Sequence, residues 1–202
     1  MLPILYSYRR CPYAMRARMA IYSADITVEI REIVLRDKPA HLLKMSPKGT
    51  VPVLILQNDV VIEQSLDIMF WALQQSDPYD WLNADSDKMQ ALISENDTNF
   101  KQALDAYKYP ERYPQFTQIH YRQQGEIFLQ KLESLLNQHI YLLKNTACLA
   151  DIAIFPFVRQ FAAVDLTWFE SSNYPKLQNW LNTLMHSEIF ERVMKKQPTY
   201  IA

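Results

Sequence analysis

Apolar positions in the first third of the chain switch between two periods, and the switches mark out its elements. A short apolar run ends at Ser7 and predicts a strand over about 2–7, and a helical pattern follows from Pro12 to about Ala24. Val28-Glu29-Ile30-Arg31-Glu32-Ile33 alternates with period two, as a half-buried strand does. Pro39-Ala40-His41-Leu42-Leu43-Lys44-Met45 predicts a short helix with proline at its start, and Ser46-Pro47-Lys48-Gly49 is turn chemistry. Val53-Leu54-Ile55-Leu56 and Val60-Val61-Ile62 flank Gln57-Asn58-Asp59 as a hairpin. Ser65 then opens a helix carrying Leu66, Ile68, Met69, Trp71 and Leu73. A βαβ unit followed by a hairpin and a helix predicts an α/β layer with a mixed four-stranded sheet, βαβαββα in order.

The pattern changes after residue 75. Gln74-Gln75-Ser76-Asp77-Pro78-Tyr79-Asp80 shifts composition on both sides, which predicts a first domain over 1–75, a linker over 76–85 and a second domain over 86–202. Helical spacing runs from Ser86 to about Tyr107 through Met89, Leu92, Ile93, Asn96, Phe100 and Leu104. The cluster Tyr107-Lys108-Tyr109-Pro110-Glu111-Arg112-Tyr113-Pro114 interrupts it, and a helix returns over Thr117–Asn137. Cys148–Ala163, Pro175–Met185 and Ser187–Lys196 supply three more helices, so the second domain reads as an all-α bundle.

Composition narrows the function classes. The chain has 202 residues, 49% hydrophobic and 21% charged, ample for packed cores. A net charge of −1 gives no electrostatic reason to expect nucleic acid as a partner. Two cysteines are no disulfide framework and fit a reducing, cytoplasmic setting. No stretch approaches the ~20 apolar residues of a membrane span, and the N-terminal run is too short for a signal h-region. With two glycines there is no glycine-rich phosphate loop, and the four histidines have no metal-ligand spacing. No metal is expected.

Chemistry concentrates at Tyr8-Arg9-Arg10-Cys11-Pro12-Tyr13-Ala14-Met15-Arg16. Pro12 suits a first helical position, which puts Cys11 at the helix N-terminus, where free N–H groups and the macrodipole favour an anion. With Arg9, Arg10 and Arg16 nearby, the thiol is expected to titrate below its free value of ~8.5. Ala14 stands where a second cysteine would complete Cys-Pro-Tyr-Cys, so Cys11 can form a mixed disulfide but no local intramolecular one. Taken alone, Cys11 reads first as an ordinary small buried residue, and the strand, basic turn and Pro-started helix together reverse that.

Strand order and the Cys-Pro-x-Ala helix together resemble the cytosolic glutathione transferase superfamily, a thioredoxin-like domain joined to a helical bundle. Cys11-Pro12-Tyr13-Ala14 with Arg16 looks like the omega-class active site, and glutaredoxins carry Cys-Pro-Tyr-Cys at the same place. Lys38-Pro39 resembles the omega lysine–proline, and Ser46-Pro47-Lys48-Gly49-Thr50-Val51-Pro52 the family's loop before its third strand. The resemblance implies that the Val51-Pro52 bond is cis and that the Val51 backbone pairs with the cysteinyl unit of glutathione. It implies that Gln64-Ser65 takes the γ-glutamyl end and assigns Pro12 and Tyr13 to the same site. Lys38 is either a partner for the glycyl carboxylate or a solvated loop lysine, and Tyr13 either walls the site or packs. Leu149-Ala150-Asp151-Ile152-Ala153 matches the start of the family's buried helix. Cys148 there replaces the usual Ser/Thr cap, which predicts a weaker or absent cap.

Cys11 leads Tyr6 and Tyr8 as nucleophile because it occupies the helix start, whereas the tyrosines are spaced as strand or turn residues. The resemblance implies thiol–disulfide exchange: thioltransferase action, deglutathionylation or dehydroascorbate reduction, with glutathione as co-substrate. The partners would be a small disulfide or electrophile, or glutathionylated proteins, and the assembly a homodimer without membrane attachment. Tyr107, Tyr109, Tyr113 and Trp168 are candidates to line a second-substrate site between the domains, each of which also reads as core. Two rivals share the fold. One is reductive removal of a group from a glutathionyl adduct, and the other is a non-catalytic regulatory or binding module.

Overall fold

A computed structural model of the chain describes residues 2–201, which form two compact units: residues 2–79 with 187–201, and Asp80–His186. The first unit runs β1 (Ile4–Ser7), α1 (Pro12–Ser23), β2 (Glu29–Glu32), α2 (Ala40–Met45), β3 (Val53–Ile55), β4 (Val61–Ile62) and α3 (Ser65–Gln75). Its sheet has the order β2-β1-β3-β4. β1 and β2 are parallel, with Leu5 opposite Ile30, while the β1–β3 and β3–β4 pairs are antiparallel. This is the mixed four-stranded sheet of a thioredoxin-like layer.

Side chains alternate across a strand, which gives the sheet two cores. Tyr6, Val53 and Ile55 share one face with Leu42 of α2, Ile33 and Val51. Leu5 and Leu54 point to the other face, and α1 and α3 pack against each other. α1 lacks a side-chain cap at Cys11, but Pro12 at its first position needs no N–H partner. The hairpin closes through the Leu56 N–H to Val60 C=O bond, with Asp59 at φ 59°.

β2 departs from the half-buried strand that its alternation predicts: Glu29 and Ile30 are exposed. The strand lies at the sheet edge, and what covers it comes from far along the chain. α10 (Glu188–Val193) packs on α1, the Arg192 guanidinium lies 4.4 Å from the Tyr22 ring centroid, and Tyr200 N–H donates to the Glu32 carbonyl at 2.8 Å. Thr199 forms a parallel bridge with Glu32.

The second unit is helical: α4 (Ser86–Glu95), α5 (Lys101–Lys108), α6 (Gln118–Leu136), α7 (Leu149–Ala162), α8 (Leu166–Ser171) and α9 (Pro175–Met185). α4 and α5 continue one another through a π-helical turn, Asn96–Phe100. Asn96 is buried there, its Nδ2 donating to Asp97 and its Oδ1 without a hydrogen-bond partner. α7 is buried from Leu149 to Val158. Gly125 of α6 lets it approach: a Cβ at that position would lie 2.3 Å from the Phe161 ring.

The weak cap expected at Cys148 is corrected by Asp151. The Cys148 N–H donates to Asp151 at 2.9 Å and its thiol lies 3.2 Å from the same carboxylate, closing a capping box. Leu142 N–H and Trp180 Nε1 donate to the other oxygen. Burial outweighs these donors and raises the Asp151 carboxyl above the ordinary range.

Candidate active site

Cys11 is the N-cap of α1, in extended conformation at φ −74° and ψ 123°. Its N–H donates to Tyr8 C=O at 3.0 Å and its C=O accepts from Met15 at 2.9 Å, so the turn and helix fix its backbone from both sides. The half-buried Sγ lies 3.6 Å from the Val51 carbonyl oxygen, close enough for a sulfur hydrogen bond. The Val51-Pro52 peptide is cis, as the resemblance implied. Before it, Gly49 turns at φ 58°, a conformation that suits glycine. Lys38 lies over that turn, its Nζ 3.3 Å from where a Gly49 Cβ would stand.

Arg16 ties this corner to α3. It is 2% exposed, and its Nε donates to Ser65 Oγ at 3.0 Å, with its guanidinium 5.1 Å from the Tyr13 ring centroid. Ser65 is the first residue of α3 and Gln64 its exposed N-cap, which makes no side-chain cap bond. Glu63, which the sequence reading passed over, receives the Ser46 hydroxyl at 2.6 Å and Lys48 Nζ at 3.1 Å. The hydroxyl and then the ammonium hold its carboxyl below the ordinary range. The loop before the cis peptide and the residue before Gln64 are thereby fastened together. A carboxylate directly before Gln64-Ser65, with Ser46 and Lys48 in the preceding loop, was the available signal.

The Tyr6 and Tyr8 hydroxyls both take part in hydrogen bonds. Tyr6 is buried on the α2 face, its oxygen accepting from Arg31 at 2.9 Å and lying 2.8 Å from His41 Nδ1, and burial raises its pKa. Tyr8 accepts from Arg10 Nη2 at 2.9 Å. Arg18, also passed over in sequence, steadies the turn by donating to the Ser7 hydroxyl and to the carbonyls of Tyr8 and Arg9. Cys11, Pro12, Val51, Pro52 and the Arg16–Ser65 pair thus cluster on one unit, with Tyr13, Gln64 and Lys38 at its margins.

The aromatic candidates of the second unit do not form one group. Tyr107 is buried with its ring 4.9 Å from Phe161, and Trp168 reaches the same phenylalanine at 6.2 Å. The Tyr107 hydroxyl is buried without a hydrogen-bond partner, and desolvation raises its pKa. Arg122 lies 4.5 Å from the Trp168 ring centroid. Tyr109 instead stacks with Arg112 at 4.4 Å. Tyr113 lines a separate cavity of about 520 Å3 with Phe100, Phe116, Tyr121 and Phe128. Cys148 is wholly buried, and its thiol is pushed up to about 12 by desolvation and by the Asp151 carboxylate. Among the described residues no group of His, Cys, Asp and Glu could hold a metal, and no helix is long and apolar enough to cross a membrane.

Comparison with known proteins agrees with this architecture. Residues 5–79 match the glutathione S-transferase N-terminal domain family and residues 96–188 the glutathione S-transferase C-terminal domain family. The chain belongs to the glutathione S-transferase family. A probable glutathione transferase of Aplysia californica is 40% identical over 58 residues, which span 29% of this chain and 62% of that protein. A probable glutathione transferase omega-2 of Caenorhabditis briggsae is 28% identical over 96% of this chain and 81% of its own. Among solved structures, a glutathione transferase family member from Pseudomonas fluorescens with two glutathione bound has a TM-score of 0.81. It is 15% identical, covering 96% of this chain and 92% of that one.

Proposed function

We propose that the protein catalyses glutathione-dependent thiol–disulfide exchange through Cys11. The observation that carries this reading is the placement of Sγ, at the N-cap of α1 and 3.6 Å from the Val51 carbonyl. A helix N-terminus favours the thiolate, and the backbone of Val51 is the peptide edge on which a cysteinyl unit would lie. Ser65 supports the γ-glutamyl assignment: its oxygen accepts from Arg16 and its own proton remains available to a carboxylate. Gln64 would add an amide, Lys38 would meet the glycyl carboxylate, and Pro12, Pro52 and Tyr13 would form the walls. Glutathione bound in a family structure of the same fold is consistent with this ligand.

In the reaction, the Cys11 thiolate attacks the glutathionyl sulfur of a mixed disulfide. The substrate S–S bond breaks, an Sγ–S bond to glutathione forms, and the substrate leaves as a thiolate that takes a proton. A second glutathione, as thiolate, attacks the glutathionyl sulfur on Cys11. Oxidised glutathione departs and Cys11 is again a thiolate; one free glutathione is consumed, and the other half of the departing disulfide is the glutathionyl group taken from the substrate. Tyr107 and Trp168 are the aromatic candidates for the second substrate. The same reading expects a cytoplasmic homodimer, which the solution mass from sedimentation equilibrium and localisation of tagged protein would check.

The test is turnover of a glutathionylated peptide by the unaltered protein and by Cys11→Ser. Exchange is expected to vanish in the variant, and glutathione disulfide to add one glutathionyl group to the unaltered protein at Cys11. Exchange surviving in Cys11→Ser would overturn the proposal.

A further inference from the structure

A groove of about 400 Å3 begins at Tyr8, Arg9 and Arg10, the three residues that lead into Cys11. Its other walls are the loop after β2, residues 33–36, and the tail after α10 at Lys196, Gln197 and Thr199. All three walls belong to the first unit. Hydrogen bonds fasten them together. Ile33 N–H donates to Ser7 C=O at 2.9 Å, Arg9 N–H to the Glu32 carboxylate at 2.6 Å, and Arg9 Nη1 to the Met194 carbonyl at 3.4 Å. Val51, Pro52, Gln64 and Ser65 take no part in the lining, so the groove leaves the thiol on a different side from that cluster.

Its charge is one-sided. Arg9, Arg10, Arg36 and Lys196 stand against a single carboxylate, Glu32, which already accepts the Arg9 backbone N–H. Among the described residues none of the four cations forms a salt bridge. Arg36 and Lys196 are exposed, and Arg10 donates only to the Tyr8 hydroxyl. The whole chain carries a net charge of −1, so four cations in one groove are a local concentration and not the general balance of the surface. Val34 and Leu35 add an apolar strip to the same wall, 38% and 46% exposed.

We propose that this groove selects the disulfide substrate, taking an acidic segment of a glutathionylated polypeptide beside its modified cysteine. The inference rests on the exchange reading of Cys11 and adds a substrate class to it. A mixed disulfide brings its sulfur to Cys11 Sγ while the polypeptide that carries it stays outside. Because the groove starts one residue before Cys11, residues flanking the modified cysteine come over Arg10, Arg36 and Lys196. Aspartate or glutamate there meets unpaired cations, and an apolar neighbour meets Val34 and Leu35. Opposite charges at such a rim speed encounter and fix register more than they deepen affinity. The groove supplies binding and no covalent step.

The test is kcat/KM for three glutathionylated peptides in which glutamates, serines or lysines flank one cysteine. The mixed disulfide of glutathione with 2-mercaptoethanol is the control. The glutamate peptide is expected to be fastest and the lysine peptide slowest, roughly tenfold apart at low salt. The ratio should shrink toward one near ~1 M salt, where screening acts within about 3 Å. Arg36→Glu with Lys196→Glu changes two exposed side chains and should reverse the order, while the small disulfide keeps its rate. Fluorescence anisotropy of the glutamate peptide without its glutathionyl group reads the groove apart from turnover. Its salt-sensitive binding should disappear in the double variant. Failure to turn over even the small disulfide would count against exchange at Cys11, and anisotropy alone would then decide the groove. Equal rates for the glutamate and lysine peptides would overturn the proposal. So would an order or an anisotropy signal that the double variant leaves unchanged, or equal binding of a single-stranded oligonucleotide of the same charge.

Discussion

Arg16 donates its Nε–H to the hydroxyl of Ser65 over 3.0 Å, joining the helix that begins at Cys11 to the helix that begins at Ser65. Both groups are buried. Ser65→Ala takes away the acceptor and leaves a desolvated guanidinium N–H, at a cost of about 1–3 kcal/mol. The urea midpoint should fall accordingly. Glutathione affinity should fall with it, beyond what Gln64→Ala causes, because Gln64 is exposed and makes no cap bond. A Ser65→Ala protein with unchanged midpoint would show that the bond adds nothing net.

The two cysteines should separate cleanly in reactivity. Cys148 is buried with its thiol pushed up to about 12, whereas Cys11 is half-buried at a helix N-terminus. Iodoacetamide near neutral pH is expected to label Cys11 alone, with Cys148 reacting only after denaturant unfolds the chain. Peptide mass mapping reads the outcome, and native-state labelling of Cys148 would contradict the packing around Asp151.

Gly125→Ala should destabilise the helical unit by about 1–3 kcal/mol, the usual cost of overpacking. The added Cβ would sit 2.3 Å from the Phe161 ring, which packs on Phe100 and Tyr107. Combining it with Phe161→Leu should recover part of the loss. Thermal melts of the two single variants and the double variant measure this coupling.

Acid stability should depend on Glu63. The Ser46 hydroxyl and Lys48 depress its carboxyl in the folded state, so the unfolded chain binds its proton first as pH falls. The stabilisation is therefore complete above the unfolded value and is lost as pH drops through the folded one. Glu63→Gln should flatten the acid limb of a stability–pH profile below about pH 4.5 and leave the neutral region with a smaller change. An unchanged acid limb would mean the pair exists without linkage to folding.

The elements of the first unit were legible because their cues are local. Pro12 and Ser65 mark helix starts, and Gln57-Asn58-Asp59 separates two β-branched runs. Cys11 could be singled out for the same reason, whereas Pro52 and Ser65 are assigned to the site through the family resemblance. What escaped depends on distant partners. The period-two pattern at Ile30 says nothing of the sheet edge that leaves it exposed, and Asp151 restores a cap that Cys148 alone does not provide. The π turn at Asn96–Phe100 and the short helix α8 have no distinct periodicity in so few residues. Arg18 became conspicuous only through what it touches.

The pairing of Tyr200 with Glu32 has a consequence for how the protein comes into being. Residues 188–200 leave the ribosome an entire helical unit after the sheet whose edge they finish. Until then the nascent chain carries β2 with open backbone groups, the kind of edge that invites association with other chains. The helical unit, continuous in sequence, can close first. The sheet of the unit bearing Cys11 is therefore finished only after residues 188–200 have been made.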